Sequence, residues 1–289
     1  MGVCAAMRVA LYHSEKQRCN DLAAAIYAGV RSHGDECIHR SVYGPAGDGV
    51  DAGIVQGVRR RDLFDTLPSW VYLDKGYIRD WSWRRVAVNS CEPVQAGTLG
   101  MLSDRRLAVS WHPKPWRRRG GHVLLCLSNE DEHAWRGLPL PETYAEAIVR
   151  ELRGHTEREI VYRTKPNRQP LRAVSGAVMG DNRQSLAEAL RGAYAVVTVS
   201  GGASICALLE GVPAIVLGDG PTMSISSRLL EEIERPRLAS DSEREAVLND
   251  LAYHQWRVDE FASGEAWRFL RDQLCTQPSH TVPVMSPAK

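Results

Sequence analysis

The run Ser200-Gly201-Gly202-Ala203-Ser204 sits between two apolar stretches and combines paired glycines with two hydroxyls, a composition suited to holding an anion. Gly201 and Gly202 permit a tight turn and close approach of a ligand to the backbone. The amides of Ala203, Ser204 and Ile205 then open a helix whose positive end favours a phosphate. Ser200 and Ser204 suit phosphate oxygens and serve equally as helix caps; a plain glycine turn in a doubly wound sheet is the alternative reading of the whole run. Lys165, with Arg163 two residues before it, can neutralise a diphosphate from the other side, or be a solvated lysine before Pro166.

Asp74 closes the apolar run Trp70–Leu73 and is followed by Lys75 and Gly76, so a carboxylate stands at a strand end with the exposure a general base needs. A salt bridge to Lys75 is the alternative. His13 follows the first apolar run and is the rival base, because an imidazole titrates near operating pH; His112 and His122 read as surface residues. Arg59 to Arg61, Arg84-Arg85, Arg105-Arg106 and Arg117 to Arg119 interleave with Trp81, Trp83, Trp111 and Trp116, a mixture that suits a nucleic-acid backbone or braces a small domain. Glu130-Asp131-Glu132 follows a strand and could hold a cation, but no Asp-x-Asp stands at a strand end, and no metal is predicted.

These residues need elements to position them, and the pattern supplies alternating strands and helices. Arg8 to Tyr12 predicts a buried strand and Cys19 to Arg31 a helix. Short strands follow over 36–43, 51–58, 70–74 and 86–89, with a weak helical turn over 62–67. Two prolines, two tryptophans and paired glycines break the pattern over 107–119, read as an interdomain linker. Alternation then restarts: strands at 123–127, 160–163 and 195–199, helices at 141–154, 185–192 and 226–233, and a largely helical stretch over 242–274 broken at Gly264. The expected organisation is α/β: an acceptor-side Rossmann-like domain over 1–112, a linker over 113–121, a nucleotide-binding Rossmann-like domain over 122–241, C-terminal helices over 242–275 and a disordered tail over 276–289. Ligands in such sheets sit beyond the carboxyl ends of strands, which places His13, Asp74, Thr164, Lys165, Ser200 to Ser204 and Gly218 to Thr222 along one crevice between the domains.

The 289 residues are 44% hydrophobic and 25% charged, which describes a soluble globular chain of about two domains. With 36 basic and 35 acidic residues the formal charge is +1, so no global field draws the chain to nucleic acid or membrane. Seven scattered cysteines without C-x-x-C spacing predict reduced thiols and a cytoplasmic setting. No stretch approaches a membrane span, and the first residues lack the basic start of a signal peptide.

The segment from Ser200 to Pro213 resembles the donor-site corner of GT-B fold glycosyltransferases, where a serine/glycine turn precedes an Ala-Leu-x-x-Gly-x-Pro helix. Tyr72 to Tyr77, Pro115 to His122 and Leu251 to Gly264 look like segments of short sugar transferases encoded by bacteriophages. The resemblance implies a nucleotide sugar, a UDP-sugar first, held by the second domain on Arg163, Lys165, Ser200, Gly201, Gly202, Ala203, Ser204, Gly218 and Asp219. It also implies an acceptor on the first half and linker, near Lys75, Tyr77, Arg84, Trp116 and Arg117. For a phage enzyme, working in the host cytoplasm, that acceptor is duplex DNA carrying a 5-hydroxymethyl pyrimidine, flipped out to meet the sugar. A surface glycan or small-molecule acceptor and a non-catalytic nucleotide-binding module are the alternatives. The family glutamate that holds the donor ribose is replaced by Cys206, which can pack as a small apolar residue, with Glu210 a turn further on. Gly218 to Thr222 then stand in for ribose recognition.

Overall fold

The computed structural model describes residues 5–13, 17–44, 49–57, 60–77, 82–165, 170 and 172–276. Arg59, Trp81, Pro166 and the tail expected over 276–289, apart from Thr276, lie outside them. The elements in chain order are β1 (Arg8–His13), α1 (Gln17–Ser32), β2 (Glu36–Ser41), β3 (Ala52–Gln56), α2 (Arg61–Thr66), β4 (Trp70–Lys75), β5 (Trp83–Val88) and α3 (Asp104–Ala108). There follow β6 (His122–Cys126), α4 (Glu130–Trp135), α5 (Pro141–Leu152), β7 (Glu159–Arg163), β8 (Val178–Met179), α6 (Leu186–Ala189), β9 (Ala193–Thr198) and α7 (Gly202–Glu210). The chain continues with β10 (Ala214–Val216), α8 (Asp241–Tyr253), β11 (Gln255–Arg257), α9 (Val258–Ser263) and α10 (Glu265–Thr276).

Two sheets result. The first has order β11-β5-β4-β3-β1-β2 and the second β10-β9-β6-β7-β8. β2, β1, β3 and β4 run parallel, and β5 and β11 close that sheet antiparallel; the second sheet is parallel throughout. The parallel strands read as unbroken apolar runs because both faces are covered: Val9 to Tyr12 and Ala195 to Thr198 are buried residue after residue. α5 shows the other pattern, burying Ala145, Ile148, Val149 and Leu152 at helical spacing, with Pro141 opening its first turn.

The chain divides into two compact units, one made of residues up to Pro93 with those from His254 onward, the other Val94–Tyr253. This differs from the expected boundaries in three ways. Residues 94–112 belong to the second unit, because the buried Asp250 carboxylate of α8 accepts the backbone N–H groups of Gly97 at 2.7 Å, Leu99 at 2.9 Å and Met101 at 2.9 Å. Residues 113–121 are not a linker but a strap along that unit. The Lys114 and Arg117 amides donate to the Leu209 and Gly211 carbonyls at the end of α7, and Gly121 to Gly192. The segment 242–275 is likewise split, α8 packing in the second unit while β11, α9 and α10 return to the first. Trp256 is the reason for the strand inside the expected helical stretch: three residues pair with β5 and bury it, too short a run to show a period.

In the first unit Asp35 is the latch. Its buried carboxylate accepts from the Met7 amide at 2.8 Å, Trp267 Nε1 at 2.7 Å and Arg271 Nε at 2.8 Å. Burial pushes this carboxyl up, but the bonds from Arg271, Met7 and Trp267 outweigh it and hold it below its ordinary value. One expectation fails outright: Cys275 is disulfide-bonded, so the thiols are not all reduced. Cys19, Cys37, Cys91, Cys126 and Cys206 are free. Among the described residues no helix is long and apolar enough to cross a membrane.

Candidate functional site

In the second unit the parallel strands β6, β7, β9 and β10 end at one edge of the sheet, and the residues that follow them meet there. After β9 the chain passes Ser200 and turns at Gly201, whose φ of 81° and ψ of −154° exclude a side chain, into α7. The two serines do not present their hydroxyls to a ligand. Ser204 Oγ, buried, donates to the Gly201 carbonyl at 2.9 Å, and Ser200 Oγ, also buried, donates to Glu132 Oε1 at 2.9 Å. Their work is to lock the turn. Gly202 itself is exposed, and a Cβ on it would meet nothing within 4 Å, so the first residue of α7, at the positive end of the helix, is uncovered.

Glu132 organises the edge, and no sequence pattern singled it out from its acidic neighbours. It lies on α4, whose first turn is capped by Asn129 accepting from the Glu132 amide at 3.2 Å. Besides Ser200, the carboxylate stands 3.6 Å from Lys165 Nζ after β7 and 3.6 Å from Arg136 Nε one turn along α4. Lys165 is half exposed and Arg136 nearly buried. Two cations are thereby held at the corner that the α7 amides open. Of the acidic run 130–132, which could hold a cation by composition, Glu132 faces Lys165 and Arg136, and among the described residues no group of three His, Cys, Asp or Glu side chains could hold a metal ion.

Other donor-side expectations fare unevenly. Arg163 is buried and turned away, Nη2 donating to the Gln184 carbonyl at 2.5 Å, because the last residue of a covered strand points into a helix layer. Gly218 lies against the turn: a Cβ there would come within 2.9 Å of Val199 Cγ1, and its carbonyl accepts from Arg228 Nη1 at 2.9 Å. Asp219 beside it is exposed. Cys206 packs against the apolar cluster around Ala207 and Val216. Glu210 lies at the far end of α7, taking Lys114 Nζ at 2.7 Å and Arg117 Nη2 at 3.4 Å.

In the first unit His13 is the last residue of β1 and Asp74 the last but one of β4; Gln56 of the intervening β3 pairs with Leu73, so Asp74 stands one residue beyond that register. Two strand spacings separate them, roughly 10 Å, so they are alternatives rather than partners for one proton. Asp74 Oδ2 accepts from Tyr72 Oη at 3.0 Å and Arg85 Nη2 at 3.3 Å, Oδ1 from the Lys75 amide at 2.8 Å, and the side chain is 44% exposed. Behind it Arg85 is sandwiched between the rings of Tyr72 and Tyr77, 5.3 and 5.6 Å from their centroids, and paired with the buried Glu92. Burial pushes both tyrosine hydroxyls well above their ordinary value, so both stay protonated, Tyr72 donating to Asp74 and Tyr77 to Glu92 at 2.6 Å. His13 Nε2 lies 3.2 Å from His39 Nδ1, and the His39 ring stacks on Tyr27 at 4.9 Å.

Four of the five acceptor-side candidates are engaged inside the protein. Tyr77 is part of the Glu92 network. Arg84 is buried, Nη1 bonding to the Trp83 carbonyl at 3.0 Å. Trp116 Nε1 donates to the Ala239 carbonyl at 2.7 Å, and Arg117 Nη1 to that of Leu190 at 2.8 Å, both within the second unit. Lys75 alone is exposed. The interleaved arginines and tryptophans are thus mostly braces, as Arg85, Arg106 and Trp111 show by their burial.

No protein-family model matches the chain, and no curated protein matches it. Among solved structures the fold is similar to the KpsC beta Kdo 2,7 transferase of Thermosulfurimonas dismutans, at 13% identity and a TM-score of 0.54, covering 90% of this chain and 99% of that one. The beta Kdo 2,4 transferase of the same KpsC aligns at 14% identity over 82% and 89% of the chains with a TM-score of 0.48. The likeness to the first shows the fold, which is the two-domain α/β architecture of GT-B glycosyltransferases.

Proposed function

We propose that the protein is a glycosyltransferase that takes a sugar from a nucleotide-diphosphate donor, UDP-sugar first, and passes it to a hydroxyl acceptor. The observation that carries this reading is the corner of the second unit, where Ser200, directly before the Gly201-Gly202 turn that opens α7, is bonded to Glu132, which also holds Lys165 and Arg136. Donors fixed in advance at a helix N-terminus suit the charge that grows on a diphosphate as its bond to the anomeric carbon breaks.

In this scheme the acceptor oxygen attacks the anomeric carbon, the bond to the diphosphate oxygen breaks, and the acceptor proton passes to Asp74. Tyr72 and Arg85 orient that carboxylate from the side away from solvent. His13 is the alternative base. Lys165 and the α7 amides take the charge on the leaving diphosphate, with Gly218 and Asp219 as backbone and carboxylate groups for the ribose. The finer acceptor reading, a 5-hydroxymethyl pyrimidine in duplex DNA, rests on the likeness to phage transferases and on the arginine-tryptophan runs, and the bonds that hold Arg84, Arg85, Arg106, Trp116 and Arg117 inside the protein weigh against it. A glycan or small-molecule hydroxyl fits the described surface better.

The test is mass analysis after incubation with a panel of nucleotide sugars and three acceptor sets: oligosaccharides, small alcohols, and duplexes carrying cytosine, thymine or their 5-hydroxymethyl forms. A sugar-mass gain on any acceptor supports transfer and names the acceptor class. Nucleotide binding without transfer to any of them would favour a binding module. Asp74→Asn is expected to lower turnover by about 10²–10⁴-fold with UDP affinity unchanged by calorimetry; full activity in that variant would transfer the role to His13.

A further inference from the structure

The arginine- and tryptophan-bearing run 105–119, which the donor corner leaves unused, gathers around a cavity of about 460 Å³ within the second unit. Arg106, His112, Trp116, Arg118 and Arg244 line it, with Asp241 and Glu245. The strap carrying Trp116 and Arg118 is bonded to the last turn of α7, so the cavity lies a helix length, roughly 13 Å, from the amides at the opposite end.

Two of the cations form a fixed wall. Arg244 is buried, its Nη2 donating to the carbonyls of Lys114 and Leu208 and its guanidinium lying 4.2 Å from the centre of the Trp116 ring. Arg106, also buried, gives Nε to Asn249 Oδ1 at 2.6 Å and Nη1 to the Trp111 carbonyl at 3.1 Å. Neutral carbonyls and an amide accept several of their N–H groups without cancelling their charge. Their carboxylate partners, Asp241 at 3.2 Å and Glu245 at 3.6 Å, are 88% and 52% exposed, where water screens them. At the rim Arg118 and His112 are exposed, and among the described residues neither side chain has a hydrogen-bond partner. The lining therefore sets three guanidinium groups and an imidazole against two solvent-exposed carboxylates, and its volume falls in the range of small-molecule sites, well above what a lone phosphate fills.

We infer that this cavity is a second binding site, for an organic anion of monosaccharide size bearing a phosphate or a carboxylate, gripped by Arg118 and His112 over the wall of Arg106 and Arg244. The inference is independent of the donor reading.

The test is calorimetric titration of the full chain at constant ionic strength with glucose 1-phosphate, glucuronate, glucose and inorganic phosphate, repeated with saturating UDP and in the double variant Arg118→Ala, His112→Ala. Both rim side chains are exposed, so the variant is expected to keep its melting temperature. Expected is saturable binding of glucose 1-phosphate or glucuronate, none of glucose, no competition from UDP, and at least about tenfold weaker binding in the variant. Binding of glucose 1-phosphate without glucuronate assigns the source as phosphosugars; equal binding of glucuronate extends it to sugar acids. The inference is overturned by absence of saturation up to about 10 mM, by inorganic phosphate binding as well as glucose 1-phosphate, by displacement with UDP, or by unchanged affinity in the variant. UDP affinity of the same variant, measured alongside, reports on the donor corner separately.

Discussion

At the scale of single residues the corner of the second unit depends on a carboxylate that no motif marks. Glu132 holds Lys165, Arg136 and Ser200 together, so its removal loosens the cations rather than freeing them for use. Lys165→Ala is expected to weaken UDP about tenfold, the worth of one charge-assisted contact, with the melting temperature unchanged because the side chain is half exposed. Glu132→Gln should weaken UDP while retaining the Ser200 contact; calorimetry of both variants checks the pair. In the first unit, burial and then the neighbouring His13 hold the His39 imidazole below its ordinary value of 6.5. The unfolded chain therefore binds a proton before the folded one as pH falls from 6.5, and the stability this provides is present above that pH and declines below it. Urea midpoints followed across the window should show the decline, and His39→Phe, which keeps a ring on Tyr27, should flatten it.

At the scale of elements, the strands and their turns were legible because burial on both faces writes continuous apolar runs, and Gly201 stands where the turn needs it. The direction of side chains at strand ends was not legible. Arg163 and Lys165 differ by two residues, yet one is buried under Gln184 and the other faces the corner; the choice is made by helix packing, not by type. The strap over 113–121 was misread for a related reason: prolines and glycines break periodicity equally in a linker and in an extended segment bonded to a neighbouring helix. Its dependence on close approach can be measured. At Gly211, φ is 70° and a Cβ would lie 2.2 Å from the Pro115 carbonyl oxygen. Gly211→Ala should therefore cost about 1–3 kcal/mol in chemical denaturation, whereas Gly202→Ala, over open space, should leave stability nearly unchanged and act on UDP binding.

At the scale of the whole molecule, two Rossmann-like halves could be read from the alternation of strands and helices, but not where one half stops. The decisive contacts join residues far apart in sequence: Asp250 to the amides of Gly97, Leu99 and Met101, Asp35 to Trp267 and Arg271, and β11 to β5. Pairings of that range leave no local pattern. They make the first unit discontinuous, opened by the first 93 residues and completed only from His254 onward. During synthesis the chain emerges in order, so the second unit, contiguous from Val94 to Tyr253, has all its parts outside the ribosome while the first sheet still lacks β11 and the Asp35 carboxylate still lacks Trp267 and Arg271. The half that begins the chain is the last to be able to finish folding, and until then its β5 edge is open to pairing with another chain.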